Sequence, residues 1–206
     1  MTTTYLIDGV GLWADIRTER PAAPAPILFL DRDGVLIEDR GYIGLAAEAR
    51  LYPDAVKAIA AARARGYRVA VVTNQSGVGR GIYDWAGFAA VQGVIDAALA
   101  CAGTALDAVF ACGYHPEANA PYANDHPWRK PGCGMITEGL RRLNGVAARS
   151  AMVGDRPGDI AAARAAGLGA AVLIDRGEVS AGAANADAVV LSLAEAIAFL
   201  DAVRVD

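Results

Sequence analysis

Two carboxylates two residues apart, Asp31 and Asp33, follow the apolar run Ile27-Leu-Phe-Leu30. Side-chain alternation tends to put such a pair on one side of the chain. At the end of a buried strand they repel each other and cost free energy unless a cation or a shared proton compensates. A magnesium ion is the simplest compensation, because it takes hard oxygen ligands. Three further clusters stand near apolar runs. Thr73-Asn-Gln-Ser-Gly77 brings a hydroxyl and a row of polar groups after Val71-Val72, and Gly154-Asp155-Arg-Pro-Gly-Asp159 brings a third acidic group after Met152-Val153. Arg129-Lys130-Pro-Gly132 is read at the start of a helix ahead of that last strand. Lys130 is one of only two lysines among 19 basic residues, so a lysine there is a specific choice. An ammonium is a compact charge suited to a phosphoryl oxygen, whereas guanidinium suits planar recognition. Taken singly each cluster has a bland explanation, since Asp-x-Asp-Gly is a common turn and Gly-Asp a common loop pair. Their order is what carries the argument.

The elements that must position these groups follow from the spacing of apolar residues. From Ile27 onward, short apolar runs alternate with Ala-rich stretches of helical period, which predicts an α/β fold with a parallel sheet and helices on both faces. Strands are expected at Ile27–Leu30, Arg68–Thr73, Ala108–Cys112, Ser150–Val153, Ala170–Ile174 and Ala188–Leu191. Pro53-Asp54 is expected to open a helix closed by Gly66, Asp84 to cap a long one reaching about Ala102, and Pro157 to begin one ending at Gly167. Residues 1–26 are read as an N-terminal arm with a Pro/Ala spacer, and residues 27–206 as one domain. In open α/β sheets ligands bind outside the carboxyl ends of the strands, near the point where strand order reverses. All of the clusters converge there.

The bulk composition narrows the function. With 206 residues, 54% of them hydrophobic, one large core can be buried. The net charge of −4 with scattered positive side chains argues against nucleic acid as a partner. Three cysteines do not make a disulfide framework, and neither a leader segment nor a membrane helix is read. A cytoplasmic protein, monomer or weak homodimer, acting on a small phosphorylated metabolite is expected.

Residues 27 to about 195 resemble the haloacid dehalogenase superfamily, whose four motifs match Asp31-x-Asp33, Thr73, Lys130 and Gly154-Asp155 in order. Asp39-Arg-Gly-Tyr42, Asn74-Gln-Ser76 and Arg129-Lys-Pro131 are similar to the branch whose members act on D-glycero-D-manno-heptose 1,7-bisphosphate or histidinol phosphate, and Ser76 leans toward the former. The resemblance implies a magnesium-dependent phosphatase without a large cap domain. Asp31 would be the nucleophile, Asp33 the acid and base, and Thr73 and Lys130 the phosphoryl ligands. Metal would be held by Asp31, the Asp33 carbonyl and Asp155, with Asp159 supporting. Asp39, Arg40, Gly41, Tyr42, Asn74, Gln75, Ser76, Arg129 and Arg156 would contact the rest of the substrate, although Arg156 replaces a frequent lysine. A receiver-type signalling module uses similar residues, but there the phosphoacceptor ends an internal strand and the acidic pair ends the first. A catalytically dead relative is disfavoured because every key residue is present.

Many relatives in that branch carry a zinc loop, Cys-x-His followed by Cys-x-Cys before Arg-Lys-Pro. Here Cys112, Tyr114, His126 and Trp128 occupy those places, which does not make a tetrahedral site. A shifted set of Cys112, His115, His126 and Cys133 has irregular spacing, with Cys133 expected inside the next helix. Structural zinc is therefore not expected. Tyr114, Tyr122, Pro127 and Trp128 are expected to order the loop by packing.

Overall fold

The computed structural model describes residues 5–18, 21–177 and 185–203. Its elements, in chain order, are β1 (Leu12–Ile16), β2 (Ile27–Leu30), α1 (Ala55–Ala64), β3 (Arg68–Asn74), α2 (Ser76–Gly79), α3 (Trp85–Cys101) and β4 (Ala108–Cys112). They continue with α4 (Gly134–Arg142), β5 (Ala151–Gly154), α5 (Pro157–Ala165), β6 (Ala170–Ile174), β7 (Ala188–Val190) and α6 (Leu193–Val203). The strands form one sheet in the order β1-β4-β3-β2-β5-β6-β7, parallel except for β1, which runs antiparallel to β4. This is the expected α/β architecture.

The central strand shows how sequence produces the two layers. Ile27, Leu28, Phe29 and Leu30 are all fully buried. Alternation sends Leu28 and Leu30 into the core under α1, α3 and α6, and Ile27 and Phe29 into the opposite core under α4 and α5. On α3, Phe88, Val91, Ile95 and Leu99 recur at helical spacing and are buried, while the Asp84 carboxylate caps the first turn by accepting from Gly87 N at 2.8 Å.

Three expectations are corrected. The stretch read as an arm contains β1, an edge strand whose Trp13 packs between Trp85 and Phe88 at centroid distances of 5.6 and 5.2 Å. Of that stretch, residues 1–4, 19 and 20 lie outside the described residues. α1 opens after Asp54 as expected, and the Asp54 Oδ2 accepts from Ala194 N at 2.9 Å in the first turn of α6, tying two helices together. The Arg129-Lys130-Pro131 turn lies ahead of α4 rather than at its start, and Cys133 is the residue that precedes the helix rather than part of it.

Strand order grows outward from β2 through β3 and β4 on one side and through β5 and β6 on the other, so the switch point lies between β2 and β5. Between Asp33 and α1 stands only a 3₁₀ turn at Ala46–Glu48, and between β4 and α4 a loop without helix or strand. Among the described residues, no cap domain covers the switch point.

Candidate active site

The ends of β2 and β5 deliver Asp31 and Asp155 to the two sides of the switch point, and the first turn of α5 delivers Asp159. Carboxylate oxygens of these three residues lie within 4.8 Å of one another. Gly34 makes the approach feasible: its φ is +81°, and a Cβ there would run into the Asp155 carboxylate. Asp159 is also fixed from behind, since its Oδ2 accepts from Arg156 N at 2.9 Å.

One ammonium sits among the three carboxylates. Lys130 Nζ lies 2.6 Å from Asp159 Oδ1 and 3.0 Å from Asp31 Oδ1, and donates to Val72 O at 2.8 Å. Burial lowers its pKa, but Asp159 and Asp31 outweigh burial and raise it, so the ammonium stays charged. The Lys130 backbone is held by a two-point clamp. Asn74 Nδ2 donates to Lys130 O at 2.9 Å, and Asn74 Oδ1 accepts from Lys130 N at 3.0 Å.

Arg156 Nε also lies 3.3 Å from Asp155 Oδ2, but it is half in solvent, and one buried ammonium does not balance three carboxylates. Burial pushes Asp31 up and Asp159 adds to this, while Lys130 draws it back. Burial, Asp31 and Asp159 push Asp155 up to about 7. Asp155 Oδ1 is buried without a hydrogen-bond partner among the described residues. A buried, unbonded acceptor on a residue whose carboxylate clusters with two others is what a hard divalent cation takes, and the all-oxygen donor set fits magnesium.

Asp33 departs from its neighbours. Its carboxylate accepts from Arg32 Nε at 3.1 Å, from Arg32 Nη2 at 3.0 Å and from Gln75 Nε2 at 2.9 Å, and it is not in the carboxylate cluster. Arg32 is itself fully buried, with its guanidinium 5.0 Å from the Phe88 ring centroid.

A cavity of about 410 Å³, of a size for a small metabolite, opens over these groups and is also lined by Tyr42, Thr73, Ser76, Tyr83, Arg129 and Arg156. Asp39 and Gly41 reach the same cavity. Asp39 accepts from Gly41 N at 2.9 Å and from Arg156 Nη2 at 2.8 Å, which braces the loop after β2 against α5. Burial lowers the pKa of Arg129, whose Nη1 lies 3.4 Å from Tyr114 O. Arg40 is not brought in with the others: its side chain is 60% exposed beside Glu38 and does not line this cavity. Tyr83, which sequence reasoning missed, does line it; a lone Tyr before a helix cap carries no spacing signal.

The loop between β4 and α4 is ordered by rings. Tyr114 stacks on His126 at 5.0 Å, and Trp128 meets Phe110 edge-on at 5.9 Å. Both histidine Nδ1 atoms accept local backbone N–H bonds, His115 from Glu117 and His126 from Trp128.

Comparison with known proteins agrees with this geometry. Residues 1–167 match the family model of haloacid dehalogenase-like hydrolases. The chain belongs to that family, and the match starts ahead of β1. It is 43% identical over 175 residues, 84% of this chain and 81% of the relative, to D-glycero-beta-D-manno-heptose-1,7-bisphosphate 7-phosphatase of Mesorhizobium japonicum. It is 38% identical over 84% of this chain and 92% of the relative to the alpha-specific counterpart of Burkholderia mallei. A crystal structure of a HAD-like phosphatase from Mesorhizobium loti superposes with TM-score 0.85 at 38% identity, covering 98% of both chains. The D,D-heptose 1,7-bisphosphate phosphatase of B. bronchiseptica, complexed with magnesium and phosphate, gives 0.74 at 30% identity over 86% of this chain and 98% of that one.

Proposed function

We propose that this protein is a magnesium-dependent phosphatase that hydrolyses the 7-phosphate of D-glycero-D-manno-heptose 1,7-bisphosphate through a phosphorylated Asp31. The observation that carries the reading is Asp31 at the switch point, with the Lys130 ammonium 3.0 Å away and the unpartnered Asp155 oxygen beside it. The names of the relatives supply the substrate. No helix of the described residues is long and apolar enough to cross a membrane.

In this reading Asp31 attacks phosphorus, the bond to the sugar oxygen breaks, and Asp33 gives that oxygen its proton. Asp33 then takes a proton from water, which attacks the phosphoryl group, releases phosphate and frees Asp31. Thr73 and Lys130 hold the phosphoryl oxygens; Lys130 does so by exchanging one of its protein contacts for an oxygen of the substrate. Asp31, the Asp33 carbonyl and Asp155 would hold magnesium, which supplies charge to offset that of the phosphate. Arg129, Arg156, Tyr42 and Ser76 face the rest of the substrate, with Arg40 brought in only by movement of its loop.

The test is turnover across a panel. The heptose bisphosphate is expected to have a higher kcat/KM than histidinol phosphate, and a preference for histidinol phosphate would overturn the substrate assignment.

A further inference from the structure

Gln75 is expected from its place in the sequence to touch substrate, and its residue lines the cavity, but its side chain is already spoken for. An amide has two donor hydrogens and an oxygen with two lone pairs. Oε1 accepts from Arg32 Nη2 at 3.0 Å and from Tyr83 OH at 2.6 Å. Nε2 donates to Asp33 Oδ2 at 2.9 Å and to Thr73 Oγ1 at 2.9 Å. All four positions are used, every partner is protein, and Gln75 is 1% exposed.

This pattern fixes which end of the amide is which. Arg32 is a donor only, so it must meet the oxygen, and the nitrogen must then face Asp33 and Thr73. The Tyr83 hydroxyl reinforces the choice: burial pushes its pKa up to about 12, so it stays protonated and donates. Tyr83 is in turn wedged between the loop at Gly44 and α2, because a Cβ at Gly44 or at Gly77 would collide with it.

Two consequences bear on the chemistry. With Thr73 Oγ1 accepting from Gln75, the Thr73 hydroxyl hydrogen is left to point toward a phosphoryl oxygen. With one Asp33 oxygen held by Gln75 and both by Arg32, the carboxylate is fixed in place at the rim of the cavity. We propose that Gln75, oriented by Arg32 and Tyr83, is a positioning residue that holds the acid and base Asp33 and sets the Thr73 hydroxyl, rather than a substrate contact. The proposal rests on the phosphatase mechanism above and gives residues of that site a role by which they act on other residues.

The test uses the leaving group. Phenyl phosphate and 4-nitrophenyl phosphate have nearly the same shape and differ in how much the departing oxygen needs a proton from Asp33. Gln75→Glu keeps the acceptor for Arg32 and Tyr83 and loses both donated bonds. It is expected to lower kcat/KM for phenyl phosphate by about 10- to 100-fold, and to lower that for nitrophenyl phosphate less, by a factor of about 3 to 10. Tyr83→Phe removes one hydroxyl and is expected to give the same asymmetry with a smaller loss, so it decides the matter if Gln75→Glu does not fold. Equal losses on the two substrates in a folded variant, or a raised KM for the heptose bisphosphate with kcat unchanged, would overturn the positioning role. Failure of the underlying mechanism is read elsewhere: an Asp31→Asn variant that turns over both aryl phosphates normally would sink the mechanism, and the positioning role with it.

Discussion

The switch point and the loop between β4 and α4 are built on opposite plans. In the loop, several chemically active groups are met by near neighbours. The His115 and His126 Nδ1 atoms are taken up by backbone N–H groups, Tyr114 stacks on His126, and the Tyr114 hydroxyl donates to Asp8 Oδ2 at 2.6 Å. At the switch point three carboxylates are gathered, Asp31 and Asp159 on one ammonium and Asp155 beside Arg156, and the buried Asp155 Oδ1 is left without a hydrogen-bond partner among the described residues. A folded chain normally pairs its buried polar groups, so a place where like charges are held together marks where a ligand must finish the job. In the loop, by contrast, both histidine Nδ1 atoms and the Tyr114 hydroxyl are met by groups of the chain itself.

The sharpest way to break that contrast is to neutralise the nucleophile. Asp31→Asn is expected to fold and to lose turnover by about 10³-fold or more, because an amide neither attacks phosphorus nor balances Lys130. Steady-state assay beside circular dichroism checks it, and near-normal turnover would remove the mechanism.

A second comparison of the two regions uses magnesium and pH together. In metal-free protein the Asp155 carboxyl is pushed up to about 7, first by burial and then by Asp31 and Asp159. The folded state therefore holds that proton more tightly than the unfolded chain does. The stabilisation is complete below the ordinary carboxylate value of about 4 and is lost as pH rises through about 7. The Tm of metal-free protein is expected to fall across that window, and magnesium at pH 8 to restore about 5–10 °C. Asp155→Asn should show neither effect. A magnesium response that survived this substitution would place the ion elsewhere, and full activity after exhaustive chelation would contradict the metal role altogether.

How far the sequence could be read differs between the same regions. Asp31, Thr73 and Asp155 were legible because each stands at the carboxyl end of a buried strand, where period and punctuation are strong signals, and Lys130 because lysine is rare in this chain. The strand β1 was not, because five residues at a sheet edge carry too little alternation, its paired strand β4 lies about 100 positions away, and the rings that bury Trp13, Trp85 and Phe88, are themselves about 70 positions away. The Gln75 network was invisible, since a glutamine that touches substrate and one that orients two catalytic groups have the same sequence neighbours. Only the direction of its four hydrogen bonds separates them.

The smallest expected effect tests the satisfied side of the contrast. Asp8 Oδ1 accepts from Val10, Gly11 and Leu12 N–H groups, each at 3.0 Å, closing the turn ahead of β1. The Tyr114 hydroxyl reaches its other oxygen, and Gly11 lets the ring come close, because a Cβ there would stand 2.7 Å from it. Burial raises the Asp8 pKa, but the Tyr114 hydroxyl and the backbone donors outweigh it and lower it below its ordinary value. The stabilisation that follows is present above about pH 4 and is lost as pH falls through the lower, folded value. Tyr114→Phe keeps the stack on His126 and removes only the hydroxyl. It is expected to cost about 1 kcal/mol at pH 7, or roughly 2–4 °C in Tm. That deficit should shrink toward zero in acid, while kcat changes little because no atom of the cavity is touched. If packing and this one hydrogen bond order the loop, protein purified without chelator carries no stoichiometric zinc and chelation leaves its Tm unchanged. One zinc per chain, lost when Cys112, His115, His126 or Cys133 is replaced, would show that the loop, like the switch point, waits on a metal.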